Sequence, residues 1–435
     1  MRLALNKKPF IAQSLALSVA ALMMTTTHAA TKEQQELAQL RAEVAELKAL
    51  MQQQQQVQQQ QAVQIQQVKA QPAPVKAESP LSSFKSKSGA DINFYGYVRG
   101  DANYIIEGAD DDFNKVSSSN GQTKDKLRAT AKTTRLGFDF NTNVAGDNKL
   151  GGKVEVDFAS TDNDKSENLR IRHAYLTYNN WLFGQTTSNF LSNHAPEMID
   201  FGTNVGGGTA RLPQVRYGFN LSPATKLFIA AEEGNSSATE RNAANTANVA
   251  SDVKYSLPVL TAKLTQGFAD GKGSVSARAL VENYKSADDS DTAWGVAAGV
   301  NYQVMDPLKL SADVSYVDGN SNYLYGSNSA YVVNAANGKI AQNEAFGVQV
   351  GGTYKFNEKL RSTLAYGALF ADDSTDYATS NPTANEEVYQ AWINFIYSPV
   401  KPLDLGVEYI NGKRDTFAGD SYKDNRVGLM AKYSF

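Results

Sequence analysis

The last ten residues, Arg426-Val-Gly-Leu-Met-Ala-Lys-Tyr-Ser-Phe435, restrict the fold of this chain more than any other stretch. In an extended strand Val427, Leu429, Ala431, Tyr433 and Phe435 share one face, and Arg426, Gly428, Met430, Lys432 and Ser434 share the other. A water-soluble sheet has little use for a final strand that is apolar on one side and ends on a bare aromatic. A membrane β-barrel does, because its closing strand turns that side to lipid and must pair with the opening one. An opening strand is present. Ile92, Phe94, Gly96, Val98, Gly100, Ala102, Tyr104 and Ile106 alternate with Asn93, Tyr95, Tyr97, Arg99, Asp101, Asn103 and Ile105. The expected fold class is therefore an all-β transmembrane barrel.

From Asp91 onward, period-two segments of about ten residues recur between alternating long polar loops and tight turns. Ala145–Asn148, Met305–Pro307 and Ser398–Pro402 read as tight turns. Gly108–Lys132, Asn320–Asn343 and Ala371–Asn385 read as long loops. About seventeen segments qualify, but single-chain bacterial barrels have even numbers. Counting back from Phe435 puts the surplus at Val249–Leu257, just before Pro258, and that piece is assigned to a loop. About 16 antiparallel strands remain. The 345 residues of 91–435 then give roughly 22 per strand with its connection, in a barrel wide enough for an aqueous channel. Between the fifth and sixth strands, Thr186–Gly208 carries Phe190, Leu191, Met198, Ile199 and Phe201 and ends in glycines that permit close backbone contact. An external loop needs none of these side chains. A third long loop folded into the lumen does.

Ahead of the barrel, Lys7 and Lys8, the apolar run Phe10–Met24 and Thr27-His28-Ala29 have the order of a secretory signal peptide, residues 1–29. The run is too short to span a bilayer. In 30–70, Leu37, Val44, Met51, Gln58 and Ile65 repeat every seven residues, with Leu40, Leu47, Gln54, Gln61 and Val68 three further on. This is one unbroken heptad register, expected to form a periplasmic parallel coiled coil of about 50 Å. Three of its ten core positions are Gln, so a disordered Gln-rich tract is the competing reading. Residues 71–90, with Pro72, Pro74 and Pro80, read as a linker.

Composition narrows the chemistry. There are no cysteines and three histidines, so disulfides and thiolate metal centres are excluded, and no metal-ligand spacing or cofactor motif is present. A net charge of −3, about −6 once Arg2, Lys7 and Lys8 leave with the signal peptide, gives no basis for nucleic-acid binding. The mean hydropathy of −0.41 hides the membrane, as expected when half of each strand faces water. Tyr 21 and Phe 19 suit interfacial girdles. A hydrolase would need a Ser/His/acid set, but His173 falls on the outward face by alternation and His194 sits in the inward loop. No enzyme is expected.

The terminal Phe435 is similar to the closing signature of bacterial outer-membrane proteins. Phe94-Tyr-Gly, Thr134-Arg-Leu-Gly-Phe, Ile171-Arg-His-Ala-Tyr and Pro196-Glu…Gly-Gly resemble the general trimeric porins, whose third loop folds inward. Arg211-Leu-Pro-Gln-Val-Arg-Tyr217 and Ser398-Pro…Leu405-Gly-Val-Glu-Tyr-Ile-Asn-Gly-Lys-Arg414 resemble more closely the DcaP-type porins. That resemblance implies a trimeric outer-membrane channel with an N-terminal coiled coil, associated with dicarboxylate uptake.

Alternation puts Arg99, Arg135, Lys153, Arg170, Arg172, Arg216, Arg278, Arg361, Arg414 and Arg426 on the lumen face, with Asp101, Asp139, Glu155, Asp157 and Glu408. By resemblance Arg135 and Arg172 occupy positions of the porins' basic ladder. Arg99, Lys153, Arg170 and Arg426 share those strands and that face, and Arg216 lies in the DcaP-like motif. Glu197 and Asp200 on the inward loop would oppose them across a constriction. Guanidinium groups bind carboxylates bidentately, so spaced arginines suit a diacid. The expected function is passive diffusion of small anionic solutes, dicarboxylates first, through the outer membrane. The alternatives are a non-selective general porin and an adhesive or structural protein with a coiled-coil extension. Expected partners are two further copies in a homotrimer, outer-membrane lipid and lipopolysaccharide, and the solutes.

Overall fold

The computed structural model describes residues 84–435, apart from 161–167, 209, 235–237, 242–247, 250–252 and 335–336. The signal peptide (1–29), the coiled coil (30–70) and residues 71–83 of the linker lie outside the described residues.

Among the described residues, sixteen antiparallel strands close into one barrel. The first four are β1 (Asp91–Gly108), β2 (Thr123–Thr130 continued by Arg135–Val144), β3 (Asn148–Ser160) and β4 (Asn168–Tyr178). Next come β5 (Trp181–Thr187), β6 (Arg211–Asn220), β7 (Thr225–Glu232) and β8 (Val259–Phe268). The second half holds β9 (Gly273–Lys285), β10 (Ser290–Met305), β11 (Leu308–Asp318) and β12 (Glu344–Lys355). Last are β13 (Leu360–Ala371), β14 (Asn385–Val400), β15 (Leu403–Thr416) and β16 (Asn425–Ser434). Each pairs with its neighbours in sequence, and β16 closes on β1 from Tyr97↔Ser434 to Ile105↔Arg426. The backbone of Phe435 joins the same ladder, exchanging hydrogen bonds of 3.0 and 3.1 Å with Gly96.

The side-chain alternation of these strands decides which face meets lipid. Val98 is 58% exposed and Leu429 52%, whereas Arg99 is 5% exposed and Arg426 is fully buried. The outward set is apolar at every strand centre, for example Val296, Val314, Val350, Leu364 and Val407. That inversion of a soluble protein's pattern is what a hydrocarbon solvent demands. Aromatic pairs such as Trp181 on Tyr217, Trp294 on Tyr316 and Phe268 on Tyr302 also point outward. Among the described residues each strand hydrogen-bonds to a neighbour on both sides, the closure a hydrocarbon solvent demands.

Two expectations need adjustment. Gly108–Lys132 is not all loop. Thr123–Thr130 pairs with Gly108–Asp101 and extends the wall, so the loop shrinks to 109–122. The two pieces of β2 are separated at 131–134, where Thr133 donates a 2.8 Å hydrogen bond to the inward Asp101. Phe84–Lys85, expected within the linker, pairs with Ile92–Asp91 and occupies the edge of β1 beyond the end of the chain. The Phe84 ring meets Phe94 edge-on at 5.7 Å. Of the piece assigned to a loop, Val249 pairs, with Asn248, in a small sheet with Ala238–Arg241, Tyr331–Asn334 and Ile340–Gln342, separate from the barrel sheet.

Candidate functional site

The inner wall carries the candidate functional groups, and the connection 188–210 between β5 and β6 divides them. This segment is bound to inward-facing side chains along its length. Asn189 N donates to Glu232 on β7 (2.9 Å), and Ser192 Oγ donates to Asp313 on β11 (2.6 Å). The Ile199 and Asp200 amides both donate to Glu408 on β15, at 2.9 and 2.8 Å. Trp392 Nε1 and Asn394 Nδ2 on β14 donate to the Glu197 carbonyl. Phe190, 1% exposed, packs with Leu280, Val317, Tyr323 and Leu369. Gly206 has φ +78°, and a Cβ there would lie 2.3 Å from the Val348 carbonyl oxygen and 2.5 Å from that of Ala368. Only glycine permits that backbone-on-backbone seat.

These contacts account for several charges expected to line open water. Arg99 forms a bidentate pair with Asp101 (Nη2 to Oδ1 2.6 Å, Nε to Oδ2 3.0 Å), donates to the Ile199 carbonyl and lies 4.4 Å from the Phe201 ring centre. It holds the connection down. Arg426 is taken up by Asp424 and by the carbonyls of Ala109 and Asp111, so it is a buried clamp on the 109–122 loop. Asp200 is 1% exposed and accepts the amides of Asn114 (2.9 Å) and Gly202 (2.7 Å). Burial pushes its carboxyl up to about 6, opposed by the Arg426 charge and the two amide bonds. Glu197 is chelated by Arg361 at 2.8–3.1 Å. Neither acid of the connection therefore stands free to oppose the arginines. Alternation gave the correct face in each case but says nothing about what covers it. His194, 2% exposed, lies 3.8 Å from Asp313 and 3.4 Å from Ser276 Oγ. Burial, with repulsion from Arg278, Lys263 and Lys309, pulls its imidazole down to about 4.

The inner faces of β2, β3, β4 and β6 carry the remaining candidates. Glu155 receives Arg172 Nε (3.1 Å), Arg135 Nη1 (3.3 Å) and Tyr95 OH (3.0 Å). Asp157 receives Arg170 through two bonds (2.7 and 2.8 Å) and Arg172 (2.7 Å). Lys153 stands over the Tyr95 ring (4.8 Å), Arg135 over Tyr97 (5.2 Å) and Arg216 over Phe228 (5.6 Å). Among the described residues neither Lys153 nor Arg216 has a carboxylate partner. A guanidinium flat on an aromatic ring keeps its donor edge available.

His173 does not follow alternation. The β3–β4 register runs Val156↔Ile171 and then Glu155↔His173, so Arg172 is the extra residue of a β-bulge. Beyond it the faces invert. His173 turns inward, with Nδ1 2.9 Å from Thr186 Oγ1 and Nε2 4.0 Å from Glu155.

Comparison with known proteins bears on the whole barrel. The family described as DcaP outer membrane protein matches residues 23–435. The crystal structure of the outer membrane channel DcaP of Acinetobacter baumannii is 68% identical, covering 82% of this chain and 100% of that one, with a TM-score of 0.77. The anion-selective porin from Comamonas acidovorans is 12% identical over 80% of this chain and 100% of that one, with a TM-score of 0.53. OmpT of Vibrio cholerae is 15% identical over 81% and 99%, with a TM-score of 0.51. The last two establish likeness of fold alone. No curated protein matches by sequence.

Proposed function

Because the chain belongs to the DcaP outer membrane protein family, and is an outer-membrane channel of that type, we propose that it passes small anionic solutes, dicarboxylates above all. The observation that carries this reading is the charge balance of the inner wall across from the seated connection. Arg135, Lys153, Arg170, Arg172 and Arg216 face Asp139, Glu155 and Asp157 there. Five cations against three carboxylates leave the wall positive, and low-dielectric surroundings focus that field on a passing ion. The connection 188–210 is the inward third loop of this account. It narrows the lumen on one side and leaves the basic wall as the other. Contacts partly in water are worth about 1 kcal/mol each, enough to favour entry without trapping the solute.

The same proposal extends to the assembly. Residues 1–29 act as signal peptide, 30–70 as a periplasmic coiled coil and 71–90 as the tether to the barrel, with three copies joined. The parallel heptad register supports the trimer. Liposome swelling tests the solute preference. Channels should admit a diacid faster than its monoacid analogue of similar size, and Arg135→Ala with Arg216→Ala should remove the difference. Equal rates for both solutes in the unmodified channel would sink the dicarboxylate reading.

A further inference from the structure

Five bulky apolar residues mark the connection 188–210 in the sequence. Phe190 and Ile199 are buried in the packing that seats it, Met198 packs against Ala365, Trp392 and Ile410, and Leu191 is half-buried. Phe201 differs, with 39% of it exposed. A segment folded inside a barrel has only the water-filled lumen to be exposed to. The ring is held out in place, because the backbone on either side is fixed. Before it, the Asp200 carboxylate accepts the Asn114 and Gly202 amides at 2.9 and 2.7 Å. After it, the Gly202 carbonyl accepts from Gln390 Nε2 at 3.0 Å, and a Cβ on Gly202 would collide with the Asn114 carbonyl oxygen. Thr203 N closes the turn on the Asp200 carbonyl at 3.0 Å.

Arg99 lies over the Phe201 ring at 4.4 Å, and Phe113 from the 109–122 loop meets it edge-on at 5.9 Å. Arg99 does not depend on the ring, since Asp101 and the Ile199 carbonyl already hold it. A guanidinium on one face draws π density towards itself, so the opposite face repels the cloud of a second ring less. Charge for a carboxylate is close by. Tyr97, two residues before Arg99 on the same inward face of β1, carries Arg135 over its ring at 5.2 Å. Lys132 Nζ lies 5.7 Å from the Phe113 ring centre. We infer that Phe201, with Arg99 behind it and Phe113 at its edge, is a stacking platform that favours anionic solutes carrying a flat ring, aromatic carboxylates above all. This rests on the anion-channel reading above and adds to it a specificity determinant on the connection. The platform acts on the ring of the solute, while the wall acts on its charge.

The test uses the full chain in planar bilayers, with block of chloride current titrated by benzoate and by cyclohexanecarboxylate. The two acids match in charge and nearly in size, but only benzoate has a π face. Unmodified channels should bind benzoate about fivefold more tightly. Phe201→Leu should bring benzoate down to the level of cyclohexanecarboxylate and leave the latter within about twofold, a pattern that displacement of the connection alone does not produce. Phe201→Trp, with a larger π face, should bind benzoate more tightly than the unmodified channel does. Conductance in plain potassium chloride reports whether the connection stays seated, and where the leucine variant alters it, the tryptophan variant carries the comparison. A seated Phe201→Leu channel that keeps the benzoate preference overturns the inference, as does a Phe201→Trp channel that binds benzoate no more tightly. Equal binding of the two acids by an unmodified, chloride-selective channel defeats the platform alone. A potassium-selective channel that binds neither acid defeats the proposed function with it.

Discussion

At the scale of the residue, His194 makes the sharpest prediction. It is almost fully enclosed beside Asp313 and Ser276, and its imidazole is held down to about 4 by burial and by the cations around it. Between about 4 and the ordinary 6.5 the folded state binds fewer protons there than the unfolded one. Its contribution to stability is therefore fully present above pH 6.5 and is lost as pH falls towards 4. Asp200, raised to about 6, runs the other way and favours the seated connection as pH falls through 6. The chain has three histidines, so ring-labelled histidine NMR can follow His194 singly. Its ring should remain neutral at pH 5, and titration near 6.5 would show that the site is open to water. Residue identities on each face were legible because strands have a fixed period. Whether a lumen cation meets water was not, because cover comes from loops distant in sequence. Arg99 and Arg426 are covered by 188–210 and 109–122, and Arg172, 8% exposed, is enclosed by Glu155 and Asp157, while Arg135 and Arg216 stay half-buried.

At the scale of the element, the connection 188–210 depends on backbone contact rather than on side-chain bulk. Gly206→Val would place a β-branched residue at φ +78°, which costs on the order of 1–3 kcal/mol before its collision with the Val348 carbonyl. The barrel ladder does not pass through this residue, so the variant should still assemble. Its single-channel conductance and current noise should both rise as the connection lifts from β12 and β13. Conductance equal to that of the unmodified channel would show that the connection does not set the width of the lumen. In the sequence this segment is marked by its apolar residues and terminal glycines. The bulge at Arg172 had no such sign, since it arises from register between strands. One extra residue in β4 was enough to move His173 from the outer face to the inner. Thr123–Thr130 was read as loop because its Lys-Asp-Lys run lacks an apolar face, yet β1 extends far enough to pair with it.

At the scale of the whole molecule, the channel and its net charge point in opposite directions. The chain is formally negative, at −3, but much of that charge lies in loops such as 109–122, where Asp110 and Asp112 already bind Lys126, Arg128 and Lys132. Salt and water screen charges at such exposed sites within about 10 Å, whereas a permeating ion passes close to the basic wall. On the proposed function, net charge decides little about what crosses, and the local excess on β2, β3, β4 and β6 decides most of it. The most direct measurement is the reversal potential of a single unmodified channel across a potassium chloride gradient at neutral pH. A potential of the sign set by chloride is the result this account predicts. A potential of the sign set by potassium would leave the barrel and its family untouched, and would contradict the claim that the arginine wall selects the solute.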